Sequence, residues 1–299
     1  MNWFQALIVG IVEGITEYLP VSSTGHILLA QRVMGIPDSD ASKAFAIVVQ
    51  AGAILAVLGI YFQKARGMTE AMAGTVLAVP GMYFPKARGL ADRLLGRNPQ
   101  GLLLLRNVLL AFIPAVIFGL LLEKKIDALL TGLWPTVASW FVGGVAILAV
   151  AWFKRNAAPG ERGVGLKLEQ ITPQIAITIG LLQCVAMWPG TSRSLMTIVG
   201  GLLCGLNMIA AVEFSFLLGM VTLTAAAGYK FLKNYSILFD TYSIPSMLLG
   251  CFAAWLSAFL AVKWMVSFLQ KHGLQPFGYY RIGLAILVAI FLMTGVLHP

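Results

Sequence analysis

The sequence predicts an all-α polytopic membrane protein, with about six full transmembrane helices plus two opposed re-entrant helical hairpins in an inverted repeat. Three observations lead there. The 299 residues are 59% hydrophobic and 11% charged, whereas a soluble domain carries about 25% charged residues. Six stretches are near the ~20 apolar residues needed to cross a bilayer. Two further apolar stretches are interrupted by prolines, hydroxyls and charges, and at membrane depth such breaks are tolerated only in backbone that is buried in protein or lines a wet cavity.

In chain order, 3–35 comes first and is broken around Pro20 to Gly25, so it reads as two short helices around a polar turn. A full span follows at 44–63. The insert 64–99 reads as an interfacial helix or loop, because its mildly apolar middle, Ala71 to Phe84, contains Pro80 and Gly81. Spans at 101–122 and 133–153 precede a basic loop, and 171–206 is broken in its turn around Pro189 to Ser194. Spans at 208–229, 245–268 and 277–297 complete one transmembrane domain, 1–299. Cys184, Cys204 and Cys251 lie in apolar segments without ligand-like spacing and read as small buried residues. A cleaved signal peptide is not expected, since the N-terminus lacks a basic region and Glu13 and Glu17 interrupt its apolar run.

The two broken stretches resemble each other. At an offset of 170, Gly10 falls on Gly180, Glu13 on Gln183, Tyr18 on Trp188, Ser22 on Ser192, Ser23 on Arg193 and Thr24 on Ser194. An odd number of full spans between them makes the hairpins enter from opposite faces, with repeats of roughly 1–153 and 171–299. The net charge of +9 reads as topology. Lys64, Arg66, Lys86, Arg88, Arg93 and Arg97 share one loop, and Lys154, Arg155, Arg162 and Lys167 another. The positive-inside rule puts both loops in the cytoplasm and leaves Arg32, Lys43, Lys124, Lys125, Lys230 and Lys233 in the opposite loops. No basic surface interleaved with aromatics points to nucleic acid.

The chemistry gathers at the two breaks. Glu13 and Glu17 share one helix face, and a charge at membrane depth costs at least about 2.5 kcal/mol, so the pair needs a cation, a proton or a cavity. Together they could hold a hard divalent cation, Mg²⁺ or Ca²⁺, alongside phosphate oxygens; no tightly bound cofactor is expected. Ser22, Ser23, Thr24 and Gly25 after Pro20 form a turn into a helix N-terminus, which offers free N–H groups and a positive dipole to an anion; ordinary N-capping is the plainer role. His26, three residues after Ser23, is placed to accept its hydroxyl proton, with a carboxylate orienting the imidazole. The matching turn carries Gly190, Thr191, Ser192, Arg193 and Ser194, with Thr197 beyond. Arg193 is a permanent cation with a fork suited to phosphate; pairing with Glu13, Glu17 or Glu213 for structure alone is the lesser reading, and the two roles can coexist. Glu213 and the mid-span Gln50 are supporting candidates, whereas Arg106 and Arg281 read as cations that snorkel to an interface. No zinc or nucleotide-binding pattern occurs.

Taken together, Glu13-x-x-x-Glu17, Pro20-Val21-Ser22-Ser23-Thr24-Gly25-His26 and Pro189-Gly190-Thr191-Ser192-Arg193-Ser194 resemble the undecaprenyl-pyrophosphate phosphatases of the bacitracin-resistance type. Trp188, Gln50-x-Gly52 and Glu213-Phe214-Ser215-Phe216 look like that family too. The resemblance spans nearly the whole chain. It implies a bundle with two opposed re-entrant hairpins in the bacterial inner membrane, and the loop charges put the site toward the periplasm or exterior. It implies hydrolysis of undecaprenyl diphosphate to the monophosphate for peptidoglycan synthesis, with bacitracin competing for the substrate. Membrane lipid is the expected partner, nucleic acid is not, and a homodimer is compatible with the pattern. Glu17, Ser23, His26 and Arg193 are then the central residues, with Ser23 attacking and His26 as base, or with water attacking directly. The chain departs from the family pattern at Ala46, where an acidic residue is frequent, and at Leu195-Met196, a bulkier pair than usual. Three other classes are alternatives. A secondary transporter or flippase of an isoprenyl phosphate shares the broken helices, and an intramembrane serine hydrolase shares Ser23 and His26. The last, a purely structural membrane protein, would not need these costly intramembrane charges.

Overall fold

The computed structural model describes residues 1–81, 99–130, 132–155 and 165–297. In chain order the helices are α1 (Trp3–Thr16), α2 (Ser23–Val33), α3 (Asp40–Ile60), α4 (Phe62–Gly81), α5 (Pro99–Leu130), α6 (Leu133–Arg155), α7 (Pro173–Val185), α8 (Arg193–Leu203), α9 (Met208–Thr241), α10 (Ile244–His272) and α11 (Gln275–Met293). A single 3₁₀ turn at Leu168–Gln170 and an isolated bridge between Leu166 and Leu206 complete the regular structure among the described residues.

Six helices, α3, α5, α6, α9, α10 and α11, are long and apolar enough to cross a bilayer, so the chain is a multi-pass membrane protein. Large apolar side chains such as Leu120, Leu121, Phe153, Leu232 and Met293 stand on the outside of the bundle, where lipid rather than water must meet them. By contrast α1, α2, α7 and α8 have 14, 11, 13 and 11 residues. At 1.5 Å per residue they reach only about 17–21 Å, short of the ~30 Å apolar layer. They form two helix–turn–helix pairs whose boundaries correspond at the offset of 170 noted in the sequence.

The correspondence extends to the backbone. Ser22 (φ 76°) and Ser192 (φ 79°) are the non-glycine residues with positive φ among those described. Each is the N-cap of the second helix of its pair, with its hydroxyl accepting from Gly25 N and Leu195 N respectively. A non-glycine residue held there costs on the order of 1–3 kcal/mol and survives only where its surroundings impose it. Packing repeats as well. α1 lies along α10, with Gly10 Cα facing Gly250 O, and α7 lies along α5, with Gly180 Cα facing Ala111 O. A Cβ at either glycine would strike backbone, so these positions let the short helices approach the long ones closely.

The insert 64–99, expected as an interfacial helix or loop, begins as helix: α4 runs continuously through Pro80 to Gly81, and residues 82–98 lie outside the described residues. Two expectations need correction. Lys124, Lys125, Lys230 and Lys233, expected in loops, lie on the extended ends of α5 and α9. Those helices have 32 and 34 residues, and the apolar spans 101–122 and 208–229 cover only their N-terminal parts. Finally, Arg281 does not snorkel but is fully buried.

Candidate active site

The two turns meet inside the bundle. Ser194 Oγ donates to Leu19 O at 2.8 Å, which joins the second turn to the first. Arg281 of α11 then pins both. Its Nη1 donates to Pro20 O (3.3 Å), its Nη2 to Gly190 O and Ser139 O (2.9 Å each), and its Nε to Trp140 O (3.3 Å). One guanidinium thus satisfies a carbonyl in each turn and two in α6. Gly190 (φ 91°) has no room for a Cβ, which would collide with Ser139 Oγ; that hydroxyl donates to Pro189 O at 2.8 Å.

Glu17 follows α1 as its C-cap, and its carboxylate is the hub of the site. Oε1 accepts from Arg193 Nη2 at 3.1 Å, with the two side chains 11% and 6% exposed. Oε2 accepts a short hydrogen bond from Ser23 Oγ. Arg193 is held from its other side by Nη1 donating to Ser215 O (2.9 Å), and its guanidinium lies 5.6 Å over the Tyr18 ring. Gly219 makes room for it, since a Cβ there would overlap the guanidinium. Thr197 Oγ1 bonds Arg193 O (3.0 Å) and Ser215 Oγ (2.6 Å), and Ser192 Oγ bonds Ser194 Oγ (3.0 Å). Glu13, one turn before Glu17, is 2% exposed and within interaction range of Glu17, Ser23 and Arg193.

Residues 6–287 match the family model described as bacitracin resistance protein BacA. The chain belongs to this family. BacA relatives include the undecaprenyl-diphosphatase of Sorangium cellulosum (strain So ce56), 40% identical over 96% of this chain and 86% of its own length. That of Verminephrobacter eiseniae (strain EF01-2) is 38% identical over 97% and 95%. That of Bdellovibrio bacteriovorus (strain ATCC 15356 / DSM 50701 / NCIMB 9529 / HD100) is 35% identical over 99% and 98%.

Within this BacA site, Glu17, Ser23, Arg193, Ser192, Ser194 and Thr197 form one hydrogen-bonded assembly. The expected Ser23–His26 pair does not form. Ser23 Oγ donates a hydrogen bond to Glu17, while His26 Nδ1 bonds Ser22 O at 2.7 Å and Nε2 bonds Tyr280 Oη at 2.8 Å. The physical reason is the start of α2, where the backbone carbonyl four residues back captures the imidazole. Nor does Glu17 orient His26, because both its oxygens are engaged elsewhere. Glu213 neither pairs with Arg193 nor joins the site, and makes a 2.5 Å ion pair with Lys64 of α4 instead. Gln50 is half-buried on α3 and forms no hydrogen bond with these groups. Thr24 is exposed and Thr191 buried, and neither hydroxyl enters the network. Gly25 packs its Cα against Trp140.

Sequence reasoning missed Tyr18, Trp140, Ser215, Tyr280 and the role of Arg281. Two of these carry a signal of the site's chemistry. Tyr18 Oη, Trp140 Nε1 and Arg193 Nε are buried atoms with no hydrogen-bond partner among the described residues. Buried polar groups are normally satisfied, and these three atoms can all donate. Unpaired donors around a cation and a helix N-terminus suit an anion.

Proposed function

We propose that this pocket hydrolyses undecaprenyl diphosphate to the monophosphate and inorganic phosphate, as an integral-membrane phosphatase that returns the lipid carrier to cell-wall synthesis. The observation that carries the reading is the Ser23–Glu17–Arg193 chain, assembled from both turns in a chain whose relatives are named undecaprenyl-diphosphatases. The transporter and peptide-hydrolase alternatives gain no support from those names, and unpaired donors suit phosphate better than a neutral amide.

In the proposed mechanism the diphosphate lies between the turns, which enter the membrane as re-entrant hairpins. Arg193, the N–H groups at the start of α8 and the unpaired donors bind its oxygens and stabilise the charge that shifts during transfer. Ser23 Oγ attacks the terminal phosphorus while its proton passes to Glu17 Oε2, and the bridging P–O bond breaks to release the lipid monophosphate. Water then hydrolyses the phosphoseryl group, with His26 Nε2 as the acceptor for its proton. Direct attack by water, with Glu17 as base, uses the same residues. The base for Ser23 is therefore reassigned from His26 to Glu17.

A divalent cation fits the donor set only in part. Among the described residues no group of three or more His, Cys, Asp or Glu side chains converges, and Glu17 is already shared by Arg193 and Ser23. Glu13 would hold Mg²⁺ or Ca²⁺ together with diphosphate oxygens and water, a sharing typical of Mg²⁺, and the ion would neutralise phosphate charge. Inner-membrane residence, a site open to the exterior and competition by bacitracin for the lipid all belong to this reading.

Phosphate release by purified protein in detergent tests it. Undecaprenyl diphosphate should yield inorganic phosphate with catalytic turnover. Absence of release from this lipid and from shorter isoprenyl diphosphates would overturn the assignment.

A further inference from the structure

Among the described residues His26 is the one histidine at the site, and other groups fix its ring. Its Nδ1 lies 2.7 Å from Ser22 O, an acceptor with no proton to give, so in the neutral ring Nδ1 carries the hydrogen and Nε2 bears the lone pair. Tyr280 Oη, 2.8 Å from Nε2, must then donate to it. The two rings are near parallel, with centroids 5.8 Å apart and planes 9° apart, and Trp140 flanks the imidazole at 5.2 Å. Tyr280 precedes Arg281, whose guanidinium bonds a carbonyl in each turn, so the phenol stands on a stretch of α11 tied to both. Arg281 is also the charged neighbour of His26. Tyr280 itself is 48% exposed on the flank of the bundle, so its hydroxyl is not needed to satisfy a buried core.

We propose that Tyr280 is a positioning residue for the phosphatase reaction: it holds His26 as the Nδ1–H tautomer with Nε2 presented as a proton acceptor. The ring is thereby kept away from the Ser23 hydroxyl, which Glu17 serves, and is reserved for the water that hydrolyses the phosphoseryl group. In that step a water O–H bond breaks, its oxygen bonds phosphorus as the Ser23 Oγ–P bond breaks, and its proton goes to Nε2. Glu17 returns its proton to Ser23 Oγ. The Tyr280 hydroxyl gives up its place at Nε2 to the water in that step.

The test compares Tyr280→Phe with wild type, alone and in a His26→Asn background. Phe preserves the ring stack and removes only the hydroxyl. One such hydrogen bond corresponds to about a tenfold effect on rate. The expected result is a fall of about tenfold in kcat on undecaprenyl diphosphate, a KM within about twofold of wild type, and no further fall when His26 is already Asn, because groups acting through one another are non-additive. A tenfold fall that persists in the His26→Asn protein, or Tyr280→Phe turning over like wild type, would overturn the proposal. The kinetic arm rests on the phosphatase reading. A second arm does not: ¹⁵N-histidine NMR should show His26 as the Nδ1–H tautomer in wild type, with its Nε2 resonance moving on Tyr280→Phe. An Nε2–H tautomer, or an unmoved resonance, rejects the positioning role even if no lipid diphosphate is hydrolysed, and wild-type inactivity with the expected spectra rejects only the phosphatase reading.

Discussion

Glu17 holds two opposite partners at once, a cation through one oxygen and a hydroxyl proton through the other. Replacing it with Gln keeps the shape but removes the negative charge that, in the proposed mechanism, takes the proton from Ser23. Glu17→Gln should therefore lower kcat by about 10²–10⁴, the range attributable to a positioned base, in steady-state phosphate release. Ser23→Ala removes the attacking oxygen, and near-full turnover in that variant would reject the covalent route and leave direct water attack. Glu17, Ser23 and Arg193 were all legible as candidates because a carboxylate, a hydroxyl turn and an arginine stand out in an apolar chain. Which of them touch was not legible. Ser23 and His26 are three positions apart, yet the hydroxyl turns instead to a carboxylate six residues back, because Ser22 O holds the imidazole at the start of α2.

At the scale of elements, hydropathy and breaker residues act locally, so the six spans and both broken stretches could be read from the chain. Tertiary satisfaction is not local. Arg281 lies 261 residues from Pro20, 142 from Ser139 and 91 from Gly190, and no pattern along α11 announces that four carbonyls will surround it. The bland expectation for a lone arginine in an apolar helix, a side chain reaching for the interface, loses to that carbonyl cage. Arg281→Met should leave those carbonyls without their donor, at about 1–3 kcal/mol for each buried group left unpaired. A melting temperature in detergent lowered by about 5 °C or more should follow, since 1 kcal/mol corresponds to roughly 2–4 °C in chains of 150–250 residues. An unchanged melting temperature would show that the turns do not depend on this side chain.

For the whole molecule, the two broken helix pairs meet turn to turn, one bringing the carboxylates and hydroxyl and the other the cation. The proposed orientation, with opposed hairpins and with 64–99 and 154–170 in the cytoplasm, predicts that the segment 124–132 is external. Single cysteines there should react with a membrane-impermeant maleimide in intact cells, whereas a cysteine at 64–81 should react only after permeabilisation. The reverse pattern would invert the orientation without disturbing the site. The claim that both turns build one phosphate site is most directly tested by Arg193→Ala, measured as kcat/KM for phosphate release from undecaprenyl diphosphate with folding checked by detergent melting. Loss of a key electrostatic donor costs about two to four decades, and that is the fall expected in a protein that still melts cooperatively. Ordinary activity in the folded variant would contradict the shared site.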